Sequence, residues 1–241
     1  MTYNKNQPES IQKMFSAIAN EYDRANNILS LQLLKIWNRN LIKHTLAPTQ
    51  AHSYLDLCCG TGEIAFSHLR KTEFPSDAYL LDFCKDMLAV AQQKANRKPL
   101  PTKHTLHYLQ ADAQAIPLEN SSIDFATMAY GIRNIKDPSK CVRDVLRVLK
   151  PGGTFGILEL TRPSNPLLRV GHKLYLKTVL PSLGWLITSN QDAYKYLCNS
   201  INQFIEPSEL ETILMDSGFT HVSRIPLTFG LATILIAKKS L

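Results

Sequence analysis

After residue 50 the chain alternates short apolar runs with stretches of helical periodicity, and few folds accept that pattern. Strands are expected at Tyr54–Cys58, Tyr79–Leu81, Leu106–Gln110, Ile123–Met128, Phe155–Leu160, Val222–Pro226 and Leu231–Ala237. Helices are expected at Glu63–Leu69, Lys85–Arg97, Ser139–Leu149, Gln191–Gln203 and Ser208–Ser217. Such alternation builds a parallel sheet covered on both faces. Only a short turn at Gly230 separates the last two strands, so they pair as an antiparallel hairpin. The expectation is therefore an α/β fold with a seven-stranded, mostly parallel sheet. One domain is expected over 1–241. Its first fifty residues read as a helical lid: Ile11, Met14, Phe15 and Ile18 form one apolar stripe, and a second helix runs from Ser30, as N-cap, to about Leu46. Residues 162–190 break the alternation with Pro163, Pro166 and Pro181 and a basic, amphipathic stretch from Arg169 to Trp185. They read as an insertion after the fifth strand, near the strand ends where ligands bind in such sheets.

Composition removes several classes. Apolar residues are 44% and charged residues 20% of the 241, which argues against disorder. The five cysteines (58, 59, 84, 141, 198) form no C-x-x-C, so neither a metal site nor a disulfide framework is indicated. Cys58 and Cys59 would point to opposite sides of a strand. Seven scattered histidines show no ligand pattern either. The start, MTYNKNQPES, lacks the apolar core of a signal peptide, and no apolar run is long enough to span a bilayer. A cytoplasmic protein, peripheral to a membrane at most, is expected. The net charge of +7 calls for an acidic neighbour.

The segment Leu55-Asp56-Leu57-Cys58-Cys59-Gly60-Thr61-Gly62-Glu63 follows a strand and opens a helix. Gly60-x-Gly62-x-x-Ala65, with Asp82 about 20 residues beyond, fits the Rossmann-like dinucleotide pattern, so a nicotinamide enzyme competes at this point. Three acids shift the balance. Asp56 precedes the loop, where a carboxylate suits an ammonium group and repels a pyrophosphate. Asp82 ends the second strand, placed to accept ribose hydroxyls. Asp112, followed by Ala113, comes after the third strand, where an acid can take an adenine amino group. The set suits a cationic adenosine ligand, S-adenosyl-L-methionine (AdoMet).

Read this far, the chain resembles the class I AdoMet-dependent methyltransferases, and within them the UbiE/MenG family of C-methyltransferases of menaquinone and ubiquinone synthesis. Tyr22-Asp23-x-x-Asn26-x-x-Leu29-Ser30 with Trp37 matches one family signature. Arg147-Val148-Leu149-Lys150-Pro151-Gly152-Gly153, continuing to Glu159, matches another. Gly131-Ile132-Arg133-Asn134 and Tyr194-x-Tyr196-Leu197-x-x-Ser200-Ile201 match as well. Ala25, Leu34, Ala129 and Thr161 depart from the usual residues. The resemblance implies cofactor contacts from Thr61, Asp82, Asp112 and Ala113, beside Asp56, Gly60 and Gly62 of the loop. It implies AdoMet-dependent methylation of demethylmenaquinol, or alternatively of the 2-polyprenyl-6-methoxy-1,4-benzoquinol of ubiquinone synthesis.

Methyl transfer to a quinol carbon needs an electron-rich ring, so a group that stabilises the phenolate speeds the step. Arg133 is the candidate, with Asn134 orienting a ring oxygen or a water and Tyr22 covering the ring. The alternative for Arg133 is a pair with Asp137 one turn on. Trp185 and Tyr175 are candidates for the isoprenoid path, and His172 for a base or a plain surface residue. From Arg133 to Lys177 ten Lys and Arg face three acids, a segment that suits an anionic leaflet. A nucleic-acid methyltransferase is disfavoured, because Ala129-Tyr130-Gly131-Ile132 is not D-P-P-Y-like and neither Cys141 nor Cys198 follows a proline. A non-catalytic AdoMet-binding scaffold is the third class, opposed by the intact loop and Arg133.

Overall fold

The computed structural model describes residues 7–30, 32–45, 50, 52–179 and 191–241. Three helices lead: α1 (Pro8–Ile18), α2 (Tyr22–Leu29) and α3 (Leu33–Thr45). Strands and helices then alternate as β1 (His52–Leu57), α4 (Glu63–Leu69), β2 (Ser76–Asp82), α5 (Lys85–Arg97), β3 (His104–Gln110), β4 (Ile123–Ala129), α6 (Pro138–Val148) and β5 (Leu149–Leu160). After β5 come α7 (Pro166–Leu174), a π-helical turn (Tyr175–Val179), α8 (Gln191–Gln203), α9 (Pro207–Asp216), β6 (His221–Leu227) and β7 (Ala232–Lys238).

The strands form one sheet in the order β3-β2-β1-β4-β5-β7-β6. All run parallel except β7, which lies antiparallel between β5 and β6. The order reverses at β1/β4, and ligands bind such sheets at the carboxyl ends beside that switch point. The central strands are buried on both faces. One apolar cluster joins Leu57, Val142, Phe155 and Leu214; the other joins Trp37, Leu41, Tyr54 and Phe66.

Local chemistry sets the ends of the elements. The Asp137 carboxylate accepts the Lys140 N–H and caps α6, with Pro138 behind it. Glu206 and Glu209 form a capping box on α9. Two expected boundaries move. Ser30 ends α2 rather than opening the next helix, which begins at Leu33. The Leu46 end expected for that helix lies outside the described residues. The fifth strand starts at Leu149, because the Lys150–Gly153 turn is taken into its pairing with β4 at a register shift. Cys58 has left the strand, with φ at 51°, so it and Cys59 are loop residues.

Candidate functional site

The site is built on the carboxyl ends of β1 to β5, roofed by α1 and α2. Beyond β1 the chain turns through Gly60 and Gly62, both at positive φ. Gly62 caps α4 at φ +80°, and a Cβ there would meet the Phe66 ring at 2.6 Å, so only glycine serves. It lines none of the chambers described below. Gly60 differs: no atom lies within 4 Å of where its Cβ would sit, which leaves open space beside the loop.

Three chambers meet at Tyr22, which lines all of them. The first is lined by Gly60, Asp82, Asp112, Ala113 and Asn134, with Ile11 and Phe15 of α1 overhead. Asp82 accepts the Gly60 N–H and the Cys84 N–H, each at 2.8 Å. Burial raises its pKa, against those hydrogen bonds. Asp112 accepts the Gln114 N–H at 2.9 Å.

The second chamber holds Asp56, Thr61 and Asp23. Asp56 is 1% exposed. It accepts the Thr127 hydroxyl at 2.7 Å and the Ala65 N–H at 3.3 Å. Burial pushes its pKa up to about 7, partly offset by those donors. The Thr61 hydroxyl is taken within the protein: it donates to Asp23 at 2.6 Å and accepts from Lys94 at 2.8 Å. Lys94 also pairs with Asp23. A carboxylate of α2 is thus clasped to the loop by a lysine of α5. This network escapes sequence reasoning, since its members come from three distant stretches of chain.

The third chamber places Arg133 with Tyr22, Asn26 and Tyr196. Arg133 departs from one of its two sequence readings. It does not pair with Asp137, which caps α6 instead. Nor does it stand as a free cation. Its Nη1 donates to Glu159 Oε1 at 2.6 Å and to the Tyr130 carbonyl, and its Nε donates to Ser200 at 3.3 Å. Both members of the ion pair are buried. Nη2 makes no hydrogen bond among the described residues, so two of the five guanidinium donors remain. Burial raises the Tyr22 pKa, and the nearby Arg133 draws it partly back. Asn134 Oδ1 accepts from the Tyr196 hydroxyl at 2.8 Å, which turns its amide nitrogen into the available donor. Glu159 was legible as an acid at a strand end, the same signal that marked the other three.

Asn26 and Leu197 connect the Arg133 chamber to a fourth, apolar cavity of about 480 Å3. Leu29, Leu33, Trp37, Leu160 and Tyr175 line it. Trp37 Nε1–H donates to Thr228 Oγ1 at 2.9 Å, fixing the wall against the β6–β7 turn. His172 faces this cavity and is held below its usual pKa by burial. Trp185 lies outside the described residues. Among the described residues no helix is long and apolar enough to cross a membrane, and no group of His, Cys, Asp and Glu is disposed to hold a metal ion.

Comparisons with known proteins bear on family and fold. The model of the ubiE/COQ5 methyltransferase family matches residues 1–239. A demethylmenaquinone methyltransferase of Protochlamydia amoebophila is 50% identical over 238 residues, covering 99% of this chain and 98% of that one. One of Chlamydia caviae is 36% identical over 241 residues, covering 99% of this chain and all of its own. In fold, a SAM-dependent methyltransferase of Thermotoga maritima superposes with a TM-score of 0.64 at 17% identity, over 95% of this chain and 99% of that one.

Proposed function

The chain belongs to the ubiE/COQ5 methyltransferase family, and on that premise we propose that it methylates a ring carbon of demethylmenaquinol with AdoMet as donor. The names of its relatives support this substrate. The observation that carries the reading is the junction at Tyr22. An acidic chamber against the glycine loop, a chamber holding a buried arginine and, through Asn26, an apolar cavity follow one another. A ring with a long isoprenoid tail needs that succession of surroundings, with polar groups at the head and apolar walls behind.

The residues present fit AdoMet by their donor set. Asp82 accepts backbone N–H groups of Gly60, Cys84 and Phe83 and keeps acceptor capacity for a ribose hydroxyl. Asp56 is a buried carboxyl without a cation, and an ammonium group would compensate it. Asp112 and the Ala113 backbone flank the adenine position. When bound, AdoMet supplies a methyl group already activated by its sulfonium.

What remains for the protein is positioning and charge. Loss of a quinol hydroxyl proton raises electron density on the adjacent carbon. The free Nη2 donors of Arg133 stabilise the phenolate oxygen that results. Glu159 and Ser200 fix the direction of that guanidinium, and Arg133 stays protonated throughout. Asn134, locked by Tyr196, presents its amide N–H to the second ring oxygen. Tyr22 covers the ring and closes the acidic chamber beside it, as part of a lid formed by α1 and α2 and clasped through Asp23. Because the acceptor is a lipid, the reaction takes place at a membrane face.

The test is the lipid quinone profile of cells lacking this protein. Accumulation of demethylmenaquinone, reversed by the wild-type gene, is expected. An unaltered profile, together with no methyl transfer to demethylmenaquinol by the purified protein, removes the reading.

A further inference from the structure

Helix α7 is unusual in this molecule because none of its nine residues is buried. It is nonetheless a well-made helix. The Asn165 side chain accepts the Leu167 and Leu168 N–H groups, and Pro166 opens the first turn. Leu167, Val170 and Leu174 follow one another at three- and four-residue steps and therefore share a face. They are 80%, 67% and 62% exposed. Phe229, at the tip of the β6–β7 turn, is 81% exposed and held in left-handed backbone at φ 57°. Leu167 and Phe229 both line the apolar cavity. The exposed apolar surface is therefore continuous with the cavity wall.

Charge identifies the occupant of this face. Residues 162–179 contain four Lys and Arg and no acid. Arg162 and Arg169 turn toward Glu206, while Lys173 and Lys177 are exposed. An apolar helical face beside lysines that make no ion pair among the described residues matches a lipid surface carrying anionic headgroups. We propose that α7 and the Phe229 tip are a docking surface for an anionic bilayer, seating the mouth of the apolar cavity directly on the acyl layer. The proposal rests on the quinol reading for its purpose, though not for its test. It gives the tail a route from lipid to the Tyr22 junction without crossing water.

The experiment is co-sedimentation of the full chain with vesicles of phosphatidylcholine, with and without phosphatidylglycerol. Two variants accompany it, Val170→Glu with Leu174→Glu, and Lys173→Ala with Lys177→Ala; none of these four residues lines the cavity. Binding to the phosphatidylglycerol vesicles is expected, at least tenfold weaker to phosphatidylcholine alone and weakening with salt. Both variants should lose about tenfold or more in binding, with unchanged circular dichroism and unchanged turnover of a short-tailed quinol in solution. Turnover of a long-tailed quinol in vesicles should fall with the binding. Equal sedimentation of wild type and variants, or no binding to anionic vesicles at low salt, overturns the proposal. So does a stable dimer in solution that Val170→Glu with Leu174→Glu dissociates, which would make this face a contact between two copies. Absence of turnover on any quinol, with vesicle binding intact, would instead strike the functional reading alone.

Discussion

At its amino end β1 buries His52; four residues on, toward its carboxyl end, it buries Asp56. The two ends of one strand treat a buried ionisable group in opposite ways. His52 Nε2 lies 3.1 Å from His68 Nε2 and 3.1 Å from Ser76 Oγ, and its Nδ1 lies 3.3 Å from the Gln50 carbonyl. Burial lowers the pKa of both histidines, that of His68 to about 3, so the rings stay neutral and bond to each other. That end is closed. At the other end Asp56 meets neutral donors and no cation, and burial raises its pKa to about 7. A buried carboxylate without a counter-charge costs stability, and the sheet keeps this one where a ligand can reach it. The lesson is positional. Along β1 the polar residue at the amino end completes the structure, and the one at the carboxyl end awaits a partner.

The sharpest way to break this contrast is at Asp82. Asp82→Ala should weaken AdoMet binding by about 100-fold or more, the loss of two hydrogen bonds to a charged group at about 1.5 kcal/mol each. Calorimetry measures it, and Asp82→Asn separates the ligand contact from the tie to Gly60. Unchanged affinity would make the acid a loop fastener only. Next comes Arg133→Ala. Turnover should fall about 100-fold, and stability should drop by about 3–5 kcal/mol because Glu159 is left buried and unpaired. Adding Glu159→Gln should recover the denaturation midpoint and leave turnover low. If it recovers both, Arg133 is structural.

Asp56→Asn sharpens the comparison through its sign. The folded carboxyl holds its proton up to about pH 7, whereas the unfolded one releases it near 3.8. Native protein therefore binds more protons between those values, and its stability falls as pH rises from about 4 to 7. The amide cannot ionise, so the variant should be more stable than wild type above pH 7, by up to about 4 kcal/mol, and no more stable below pH 4. Its AdoMet affinity should drop. The smallest effect is expected from His68→Phe. For His68 the folded pKa is depressed, so stability is lost as pH falls below about 6.5, when the unfolded chain takes up a proton first. Thermal melts at pH 5 and pH 7 should show less acid sensitivity in the variant, with AdoMet affinity untouched.

Much of this was readable from the chain. The bounds of α4 and α5 follow from periodicity that begins at a strand-end loop and stops at a polar run. Asp82, Asp112 and Gly60 came to one chamber because strand ends in a parallel sheet share an edge. The Arg133 environment was not readable, since its partners Glu159 and Ser200 lie 26 and 67 residues away and meet it only after β4 pairs with β5. A local rule offered Asp137 and failed, because an acid just before Pro138 is better used as a helix cap. The clasp of Asp23, Thr61 and Lys94 joins segments 38 and 33 residues apart, and no spacing announces it. The exposure of α7 was hidden as well, because an amphipathic pattern does not say whether its apolar side finds a neighbour.

Among the described residues Tyr22 is the one side chain common to the three chambers around the glycine loop and Arg133. A single ring standing between the two proposed reactant sites would make their occupancies thermodynamically linked, because whatever shifts it to admit one molecule alters the space offered to the other. Donor and acceptor should therefore bind with mutual dependence, each changing the other's affinity by the same factor.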